Sequence, residues 1–433
     1  MNELKLGLLG LGTVGGGVLT LLERNGDAIA NRAGLRIRVV AAAVRDAAKA
    51  RPGAEDVRLT TSIDEVIDDP DVDVVLELMG GTDAAKTAVE RAIRAGKPVV
   101  TANKALIALH GQTLFEQAKA QGTTISYEAA VAGGIPLIKA LREGLTANKI
   151  HSIAGIINGT CNYILTEMSQ TGAAFDTVLA DAQRLGYAEA DPTFDVGGID
   201  AAHKLTILAS IAFGIPLSFD QVTTDGIGSV TAEDLTYARE LGYRIKPLAI
   251  ARRQSKGVEL RVHPTLVPEK DLLANVNGVL NAVVVRADAA SPTGYFGPGA
   301  GAEATASAVL ADVVDLARNS TGVKMPALGQ SEALPNPPRP LSIDDAVSAH
   351  YLRLRVADTP GVLNAISGAL AEHAISIEAI VQKELPSPVS TTTVIILTQP
   401  VPERVAAAAC AQIEALSAVS DTVHRIRVEH FDE

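Results

Sequence analysis

The chain has 433 residues, which at roughly 150 residues a domain predicts about three domains. Hydrophobic residues make up 47% of it, enough to build packed cores, so disorder is excluded as its main state. Lysine and arginine number 38 against 50 aspartates and glutamates, a net charge of −12, and no long run of either sign occurs. This excludes the basic surface that nucleic acid or an anionic membrane requires and favours a small-molecule partner. Two cysteines, Cys161 and Cys410, cannot form a disulfide framework in a chain of this size and fit a reducing compartment.

Residues 6–22 are uncharged and mostly apolar, which is the length of a signal peptide. Six glycines interrupt this segment, Glu3 lies where a signal peptide is basic, and no small-residue cleavage pattern follows. No other apolar run approaches the roughly 18 residues of a membrane-spanning helix. We therefore expect a soluble, cytoplasmic protein.

Short β-rich runs alternate with helical patterns over residues 1–130. The strand candidates are Leu4–Gly10, Arg36–Val44, Val72–Met79, Pro98–Ala102 and Thr123–Tyr127, and the helical patterns include Ala84–Ala95 and Leu106–Gln121. Strands joined through helices form parallel sheets with helices on both faces. Residues 1–130 are therefore predicted to be a Rossmann-type, doubly wound domain of the α/β class.

Residues 131–330 mix strand and helix patterns in a way typical of an α+β domain. The candidates are strands at Lys149–Ile157 and Ala282–Asp288, and helices at Tyr163–Met168, Gly198–Phe213 and Ala302–Arg318. We expect this middle domain to bind the substrate, to pair with its copy in a dimer, and to return to the first domain in its last part.

Four prolines within residues 335–340 interrupt regular structure, so residues 331–348 are predicted to be a linker. Residues 349–433 then give the order strand, helix, strand, strand, helix, strand. These elements are His350–Val356, Val362–His373, Ser376–Lys383, Thr391–Leu397, Pro402–Leu416 and Val423–Val428. This order predicts a ferredoxin-like domain.

The run Gly10-Leu-Gly12-Thr13-Val14-Gly15 follows a predicted strand and begins a predicted helix, as the dinucleotide-binding fingerprint requires. Gly10 permits a tight turn, Gly12 lets the backbone approach a pyrophosphate, and Gly15 lets helix and strand pack closely. The anion would lie at the helix N-terminus, beside Thr13 and Val14. The alternative is a turn that is merely rich in glycine.

Arg45 follows the second predicted strand, where NAD-specific folds usually place an acid that binds the ribose 2′-hydroxyl. A cation there favours NADP, although the neighbouring Asp46 leaves NAD open. The alternative is that Arg45, Lys49 and Arg51 are only a solvated loop.

Thr101-Ala-Asn103-Lys104 follows the fourth predicted strand, at the sheet edge where ligands bind. Helix capping alone would explain Thr101 and Asn103. Lys104, by contrast, would present an ammonium group to a phosphate, a carboxylate or a reacting oxygen.

Residues 186–204 are unusually rich in charge for a chain that is 20% charged. They include Tyr187 and the charged residues Glu189, Asp191, Asp195, Asp200 and Lys204. Asp200 and Lys204 are four apart on a predicted helix whose later residues are apolar, so the pair is expected to be partly buried and Lys204 to act as an acid or base. The alternatives are an ordinary ion pair for these two and a structural role for His203.

Two further segments begin helices and are candidates for ligand contact. Asn158-Gly159-Thr160-Cys161-Asn162 would offer backbone donors to a carboxylate, or simple capping. The run from Gly294 to Glu303 is rich in glycine and is a possible second pass of the chain beside the cofactor.

In combination, these motifs resemble homoserine dehydrogenase, in the long form with a C-terminal ACT regulatory domain. The resemblance covers essentially the whole chain, and its most specific parts are residues 10–15, 101–104, 158–165 and 186–204. It implies reversible hydride transfer between L-homoserine with NAD(P)+ and L-aspartate 4-semialdehyde with NAD(P)H, in threonine, methionine and isoleucine biosynthesis.

The resemblance also implies residue roles. Lys204 matches the acid/base, with Asp200 orienting it and Lys104 near substrate and nicotinamide, while Glu189 and Asp195 match carboxylates that hold the substrate. Gly159, Thr160 and Tyr187 are further expected substrate contacts, and Gly301 is an expected cofactor contact beside Arg45 and Thr101. A monovalent cation, often sodium, would be bound at Glu128, Val131, Gly133 and Ile135, three of them through backbone carbonyls.

The tail beginning at His350 resembles an ACT domain, with Asp358-Thr-Pro-Gly361 at its first strand-to-helix turn. By analogy it would bind threonine as a feedback inhibitor between paired tails of a homodimer or homotetramer. Removing residues after about 345 should then spare catalysis and abolish the threonine response. The alternatives are a tail that only dimerises, a catalytically silent amino-acid sensor on a Rossmann scaffold, and an NADP oxidoreductase for another hydroxy or amino acid.

Overall fold

A computed structural model of the chain describes residues 3–318, 325–330, 334, 336–383 and 391–431. Contacts divide it into two compact units, each assembled from three separate stretches of sequence. The first unit is Met1–Ile153, Ala201–Asp220 and Leu280–Arg339, and the second is Ala154–Asp200, Gln221–Val279 and Pro340–Glu433.

The strands in the described residues are β1 Glu3–Leu9, β2 Arg36–Ala43, β3 Arg58–Thr60, β4 Val74–Glu77, β5 Val99–Thr101, β6 Ile125–Ser126, β7 Ile150–Ile156, β8 Thr223–Thr224, β9 Tyr243–Gln254, β10 Gly257–Pro268, β11 Leu280–Ala287, β12 Thr293–Pro298, β13 Val347–Ala357, β14 Ile377–Gln382, β15 Thr391–Thr398, β16 Val401–Pro402 and β17 His424–Val428. The α-helices are α1 Thr13–Ala33, α2 Ile63–Ile67, α3 Asp83–Arg94, α4 Lys104–Ala120, α5 Leu137–Lys139, α6 Gly159–Thr171, α7 Phe175–Arg184, α8 Thr193–Val196, α9 Ile199–Phe213, α10 Ala232–Glu240, α11 Ala302–Arg318, α12 Val362–Glu372 and α13 Glu403–Glu414.

The first unit contains a parallel sheet in the order β3-β2-β1-β4-β5-β6. Its central strands are buried because their apolar side chains are covered on both faces; Leu6 and Leu8 of β1 and Leu76 of β4 are fully buried. The order reverses at β1, between β2 and β4, which places the end of β1 at the crevice where such folds bind ligands. The predicted Rossmann-type fold is confirmed. Its elements β3 and α2 were not predicted from the sequence.

The second unit is built around two long antiparallel strands, β9 and β10, which pair over twelve residues each. No element was predicted there. Pro247 and Pro264 lie within the two segments, and a proline argues against an inner strand because it has no backbone N–H to donate. In the structure these two prolines lie opposite each other in register, so the missing donors fall at one place in the ladder.

The C-terminal residues form the predicted ferredoxin-like fold, with strands in the order β17-β13-β15-β14 and all neighbours antiparallel. Helices α12 and α13 cover one face through a core that includes Leu354, Leu370 and Ile396. The other face packs into a core shared with the middle of the chain, where Tyr351 and Ile426 meet Leu165 of α6 and Leu235 of α10.

This shared core changes the expectation for the tail. Strand β17 pairs in parallel with β10, at Thr265 with Arg427 and Leu266 with Val428. The tail is therefore part of the second unit rather than a domain that hangs on a linker. Sequence reasoning could not foresee this because the contacts join residues more than one hundred positions apart.

The predicted linker at residues 331–348 falls partly outside the described residues, which omit 331–333 and 335. Within its described part, Pro340 forms a bridge with Val258, a short helix spans Ile343–Asp345, and β13 already begins at Val347. The domain boundaries at 130, 330 and 348 stay predictions. Among the described residues, no helix combines the length and apolar character needed to cross a membrane.

Candidate active site

The glycine-rich turn joins β1 to α1 in the geometry that its sequence predicts. Gly10 has φ +98°, and a Cβ there would lie 2.8 Å from the Leu78 carbonyl oxygen, so no other residue fits without strain. A Cβ at Gly15 would lie 2.7 Å from the Gly10 carbonyl oxygen. At Gly12, by contrast, a Cβ would meet no atom within 4 Å. Gly12 therefore faces open space at the N-terminus of a 21-residue helix that no side chain caps, and this cradle fits a pyrophosphate.

The loop after β2 holds Arg45 in an exposed position. The Asp46 carboxylate accepts a 2.9 Å hydrogen bond from the Ala48 N–H, and Arg51 donates to the carbonyls of Asp46 and Lys49. Asp46 and Arg51 thus fasten the loop internally. Arg45 and Lys49 are the cations of this loop whose side chains are exposed, and Arg45 is the one that directly follows Val44 at the end of β2.

Sequence reasoning missed Glu77, a fully buried carboxylate at the end of β4. Its Oε1 accepts from the N–H groups of Met79 and Gly80, and its Oε2 accepts a 2.6 Å hydrogen bond from the Thr101 hydroxyl. The Thr101 oxygen accepts in turn from the Asn103 N–H. The predicted cofactor residue Thr101 therefore has a clear positioning role, while its contact with a cofactor stays a prediction.

Asn103 links this network to the helix that carries Lys104. Its Oδ1 caps α4 by accepting from the Leu106 N–H at 3.1 Å, and its Nδ2 donates to the Gly81 carbonyl at 2.6 Å. Glu77, Thr101 and Asn103 together fix the first residue of α4, which is Lys104, at the carboxyl end of the parallel sheet.

The second glycine-rich run lies beside the first unit's α1 and beside the predicted cation loop. A Cβ at Gly17 of α1 would lie 2.5 Å from the Ala302 carbonyl oxygen, and a Cβ at Gly133 would lie 2.6 Å from that of Gly299. The Gly134 N–H donates to the Pro298 carbonyl at 3.0 Å. The chain thus returns to the Rossmann-type sheet, as expected, and places Gly301 at the start of α11, one residue before Ala302.

Glu128, the predicted side-chain ligand of a cation, is 2% exposed and already caps α5. Its two carboxylate oxygens accept from the N–H groups of Ile138 and Lys139, each at 2.9 Å, and its own N–H donates to Asp312. Burial raises the pKa of Glu128, although these hydrogen bonds oppose it. Burial also raises the pKa of Asp312 to about 7, with Lys139 opposing.

The rest of the predicted cation loop is compact. Ala132 and Gly133 have positive φ, and the Ile135 N–H donates to the Ala132 carbonyl. No group of three acidic, histidine or cysteine side chains suited to a metal occurs in the described residues. A cation here would have to use backbone carbonyls such as those of Val131, Gly133 and Ile135, together with the Glu128 carboxylate.

In the second unit, one amide joins two of the predicted carboxylates. Asn158 is 5% exposed, and its Nδ2 donates to Asp195 Oδ1 at 2.8 Å and to Asp200 Oδ2 at 2.9 Å. Its Oδ1 caps α6 by accepting from the Cys161 N–H at 2.8 Å. The sequence predicts Asn158 only as a helix cap or a member of a backbone donor group. Its place in the 158–165 motif is the signal for its other role, as the side chain that joins Asp195 and Asp200.

The remaining predicted substrate residues surround the N-terminus of α6 in the second unit. The Thr160 hydroxyl donates to the Tyr187 carbonyl at 2.6 Å, and the Tyr187 ring packs edge-on against Tyr163. A Cβ at Gly159 would lie 2.6 Å from the Val279 carbonyl oxygen, which gives this glycine a packing role. Glu189 is exposed, and its backbone carbonyl accepts from Gln183.

Asp200 and Lys204 lie one turn apart on α9, as predicted, with Asp200 4% exposed and Lys204 half-buried. His203 is buried and stacks near Phe219, with ring centroids 4.3 Å apart, which supports its structural interpretation. The structure thus brings together Asp195, Asp200 and Asn158 in the second unit. Lys104 and Lys204 belong to the first unit.

Comparison with known proteins identifies the family. Homoserine dehydrogenase of Pseudomonas aeruginosa is 53% identical to this chain over the whole length of both, and that of Neisseria gonorrhoeae is 49% identical over 99% of both. The chain belongs to the homoserine dehydrogenase family. A crystal structure of a homoserine dehydrogenase from Thiobacillus denitrificans matches it with a TM-score of 0.94 at 55% identity, covering 99% of both chains.

The family models match in the order that the sequence predicts. The homoserine dehydrogenase NAD binding domain matches residues 10–128, homoserine dehydrogenase matches 136–314, and the ACT domain matches 350–413. The chain is thus a homoserine dehydrogenase, an oxidoreductase of amino-acid biosynthesis with an NAD(P)-binding domain and a C-terminal ACT domain. This confirms the resemblance and leaves no support for a silent sensor or for a different oxidoreductase.

Proposed function

We propose that the enzyme interconverts L-homoserine and L-aspartate 4-semialdehyde with Lys204 as its acid/base. NAD(P), which Gly10, Gly12 and Gly15 would hold, would supply the hydride acceptor for the alcohol carbon when bound, and the hydride donor in the reverse direction. Lys204 takes the hydroxyl proton as the carbonyl forms and returns it in the reverse reaction. Lys104, fixed at the first residue of α4, stabilises the negative charge that develops on the same oxygen.

The observation that carries this proposal is the convergence of Asp195 and Asp200 on the Asn158 amide. Two neighbouring carboxylates make a site that favours cationic groups, because a nearby positive charge stabilises both. An amino-acid alcohol supplies one such group in its ammonium, and a lysine supplies the other. We assign the substrate ammonium to Asp195 and Glu189, and the orientation of Lys204 to Asp200, one helical turn before it.

The substrate carboxylate needs donors, and the N-terminus of α6 offers them. This helix has 13 residues, and its first turn contains Gly159 and Thr160. The hydrogen bond from Thr160 to the Tyr187 carbonyl fastens this turn to the segment that leads to Glu189. We propose that Gly159, Thr160 and Tyr187 form the wall that holds the substrate backbone.

For the cofactor, we propose a preference for NADP over NAD. Gly10, Gly12, Thr13, Val14 and Gly15 would hold the pyrophosphate at the start of α1, with Gly301 and Thr101 near it. The Asp46 carboxylate is engaged by the Ala48 N–H, whereas the Arg45 side chain is exposed at the end of β2. A guanidinium group there suits a 2′-phosphate better than a 2′-hydroxyl.

We also propose a monovalent cation, sodium, at Glu128, Val131, Gly133 and Ile135. Oxygen donors from backbone carbonyls and one carboxylate are the ligands that hard cations prefer. The left-handed backbone at Ala132 and Gly133 supports this, because it turns successive carbonyls out of a regular ladder. The ion would be structural, since Glu128 also holds the start of α5.

For regulation, we propose that threonine binds the ACT domain and inhibits the enzyme. A cavity of about 330 Å³ lies at the turn between β13 and α12, lined by Asp358, Thr359, Pro360 and Gly361 among others. Gly361 begins α12 in the left-handed conformation with no side-chain cap, so helix N–H groups face this turn. Such a turn suits an amino-acid carboxylate.

We propose that the chain works as a homodimer or homotetramer. Strand β12 has β11 as its neighbour in the described hairpin, and it exposes 75% of Phe296. A large exposed aromatic side chain on a terminal strand is typical of a surface that another chain covers.

The test is a homoserine-dependent rise in NAD(P)H absorbance with the purified full-length chain. The same preparation is assayed with NADP+ and with NAD+ at alkaline pH, and thermal unfolding verifies the fold. Homoserine should give turnover with both cofactors and a lower KM for NADP+. A folded chain that reduces neither cofactor with homoserine would refute the proposal.

A further inference from the structure

We propose that Arg427, in the C-terminal domain formed by residues 347–431, is a positioning residue for Asp195. The inference rests on the proposed role of Asp195 in holding the substrate. It assigns to the C-terminal domain a part in substrate binding that does not require any effector.

Arg427 makes most of its hydrogen bonds inside the C-terminal domain. This side chain is 8% exposed, and its Nε and Nη2 donate to the two oxygens of Glu403 at 3.1 and 2.8 Å. Glu403 begins α13 and also pairs with Arg425. Two of the three guanidinium nitrogens are thus fixed inside the C-terminal domain, so the direction of the third is determined.

The third nitrogen leaves the C-terminal domain. Arg427 Nη1 donates to Asp225 Oδ2 at 2.6 Å. Asp225 directly follows β8, whose parallel pairing with β10 continues in the hydrogen bond from the Asp225 N–H to the Val262 carbonyl at 2.8 Å. The planar fork of arginine can hold Glu403 and Asp225 at once, which a single ammonium group cannot do in this geometry.

The residues after Asp225 then touch the helix that carries Asp195. The Ile227 N–H donates to the Val196 carbonyl at 2.9 Å, and a Cβ at Gly226 would lie 2.6 Å from that same oxygen. Val196 is the last residue of α8, which is only four residues long. A helix this short has little internal rigidity, so residues 225–227 help to set the position of Asp195, together with the Cys161 thiol, which donates to the Asp195 carbonyl at 3.2 Å.

Asp195 is sensitive to such movement because its partner is fixed. Asn158 donates to both Asp195 and Asp200 and simultaneously caps α6. A shift of α8 would lengthen the hydrogen bond to Asp195 without moving Asn158 or Asp200. The expected consequence is weaker substrate binding with unchanged proton transfer, since Asp200 and Lys204 stay in place.

The experiment measures KM for homoserine, KM for NADP+ and kcat in the full-length enzyme carrying Asp225→Ala, Asp225→Asn or Arg427→Lys. The Asp225 carboxylate is half exposed, so Asp225→Ala should fold. Its loss should raise KM for homoserine about fivefold, the value of a partly screened ion pair, with kcat and KM for NADP+ changed by less than about twofold. Asp225→Asn keeps an acceptor and should recover most of the loss, and Arg427→Lys should match Asp225→Ala.

The matched control is Glu240→Ala. It removes a carboxylate of similar exposure, 44% against 51%, which lies on α10 and pairs with Lys383 of the C-terminal domain instead of Arg427. This variant should keep the KM of the unaltered enzyme. The double variant Asp225→Ala with Arg427→Lys should have the same KM for homoserine as either single variant, because each already lacks the contact between Arg427 and Asp225. The bonds to Glu403 that Arg427→Lys also weakens lie inside the C-terminal domain and are checked by thermal unfolding of that variant.

Two results would overturn the inference while leaving the proposed function intact. One is an active unaltered enzyme whose Asp225→Ala and Glu240→Ala variants share the same KM for homoserine. The other is a multiplicative loss in the double variant. Failure of the proposed function differs from both, because the unaltered chain would then show no homoserine-dependent turnover.

Discussion

Replacing Asn158 by aspartate tests the observation on which the proposed mechanism rests. Aspartate caps a helix as well as asparagine does, so the hydrogen bond from the Cys161 N–H at the start of α6 is preserved. The donor that lies 2.8 Å from Asp195 and 2.9 Å from Asp200 becomes an acceptor. Three carboxyl groups then share a site where only one, Asp195, is partly open to solvent.

The magnitude follows from two contributions. Each lost hydrogen bond to a carboxylate is worth about 1.5–3 kcal/mol. Like charges about 4 Å apart repel by about 4 kcal/mol at an effective dielectric constant of about 20. Protonation of one carboxyl relieves most of the repulsion, so we expect a net loss of about 3–4 kcal/mol in transition-state binding, which lowers kcat/KM about 10²- to 10³-fold.

The assay is steady-state kinetics with homoserine at neutral and alkaline pH, with thermal unfolding to verify the fold. Asn158→Ser is the matched control, because serine also caps the helix but adds no charge, and its short side chain does not reach the two carboxylates. It should lose about 10²-fold in kcat/KM, from two lost hydrogen bonds of about 1.5 kcal/mol each, and no more, since it adds no charge. An Asn158→Asp enzyme that stays folded and within about twofold of the original kcat/KM would refute the reasoning.

Four further predictions concern separate parts of the molecule. Lys204→Ala should lower kcat by about 10²- to 10⁴-fold with little change in KM for the cofactor, and an equal loss of both would contradict an acid/base role. Arg45→Ala should raise KM for NADP+ several-fold more than KM for NAD+; an unchanged ratio would favour the solvated-loop interpretation. Ending the chain after about residue 345 should give an unstable, inactive protein, because it exposes the core that Tyr351 and Ile426 share with α6, and a stable active fragment would contradict this. Burial lowers the pKa of His350 from 6.5 to about 3. The folded state therefore keeps the ring neutral, and the free energy of unfolding should fall as pH drops below about 6.5, by about 2 kcal/mol at about pH 5. His350→Gln should therefore lose less thermal stability between about pH 7 and pH 5 than the unaltered chain, and parallel losses would count against this assignment.

The truncation prediction reverses what the sequence suggested, and the reason is physical. Prolines near residue 335 and a complete ferredoxin-like pattern after 349 are the usual signs of a separable domain. Nothing in that pattern reveals that Asp234, fully buried on α10, accepts from the Tyr351 hydroxyl and from Arg353 of β13. Removing the tail would take away both of these partners of Asp234 Oδ1 and leave only the hydrogen bonds from Thr231 to Oδ2.

Local sequence patterns predicted the helices and strands well where the residue types in a segment favour a single kind of secondary structure. Strands β1, β2, β4, β5 and β6 of the Rossmann-type sheet were predicted as short β-rich runs, and their predicted bounds agree with the structure to within about two residues. Strand β3, with the sequence Arg-Leu-Thr, was not predicted. The strand-to-helix turns at Gly10 and at Asn158 were likewise predicted, because a turn of that kind places strict demands on its residues.

Strand β10 shows why the rest could not be predicted. Every one of its twelve residues is buried, yet Glu259, Arg261 and His263 alternate with apolar residues as on a solvent-facing strand. The charges are tolerated because Arg261 pairs with Glu259 and with Glu429, which lies next to β17 and also pairs with Arg252. A sequence shows the charges but not the partners that neutralise them.

For the candidate site, the sequence predicted the carboxylates and lysines but not their supports. Glu77 was not predicted as a functional residue, and the side-chain role of Asn158 was not predicted, because each acts on a side chain 24 or more positions away. Motif reasoning finds the residues that touch a ligand. It does not find the buried acids and amides that hold them.

The ion pairs around β10 also limit how this enzyme can be recombined with its relatives. A chimera that exchanges only the C-terminal domain would place a foreign side chain at position 429, opposite Arg261, whose guanidinium is fully shielded from water. Removing one carboxylate from a buried ion-pair network is destabilising even where the other, here Glu259, remains. Functional hybrids should therefore inherit Glu259, Arg261 and Glu429 from a single parent, and a breakpoint before β9 should succeed where one in the proline-rich segment fails.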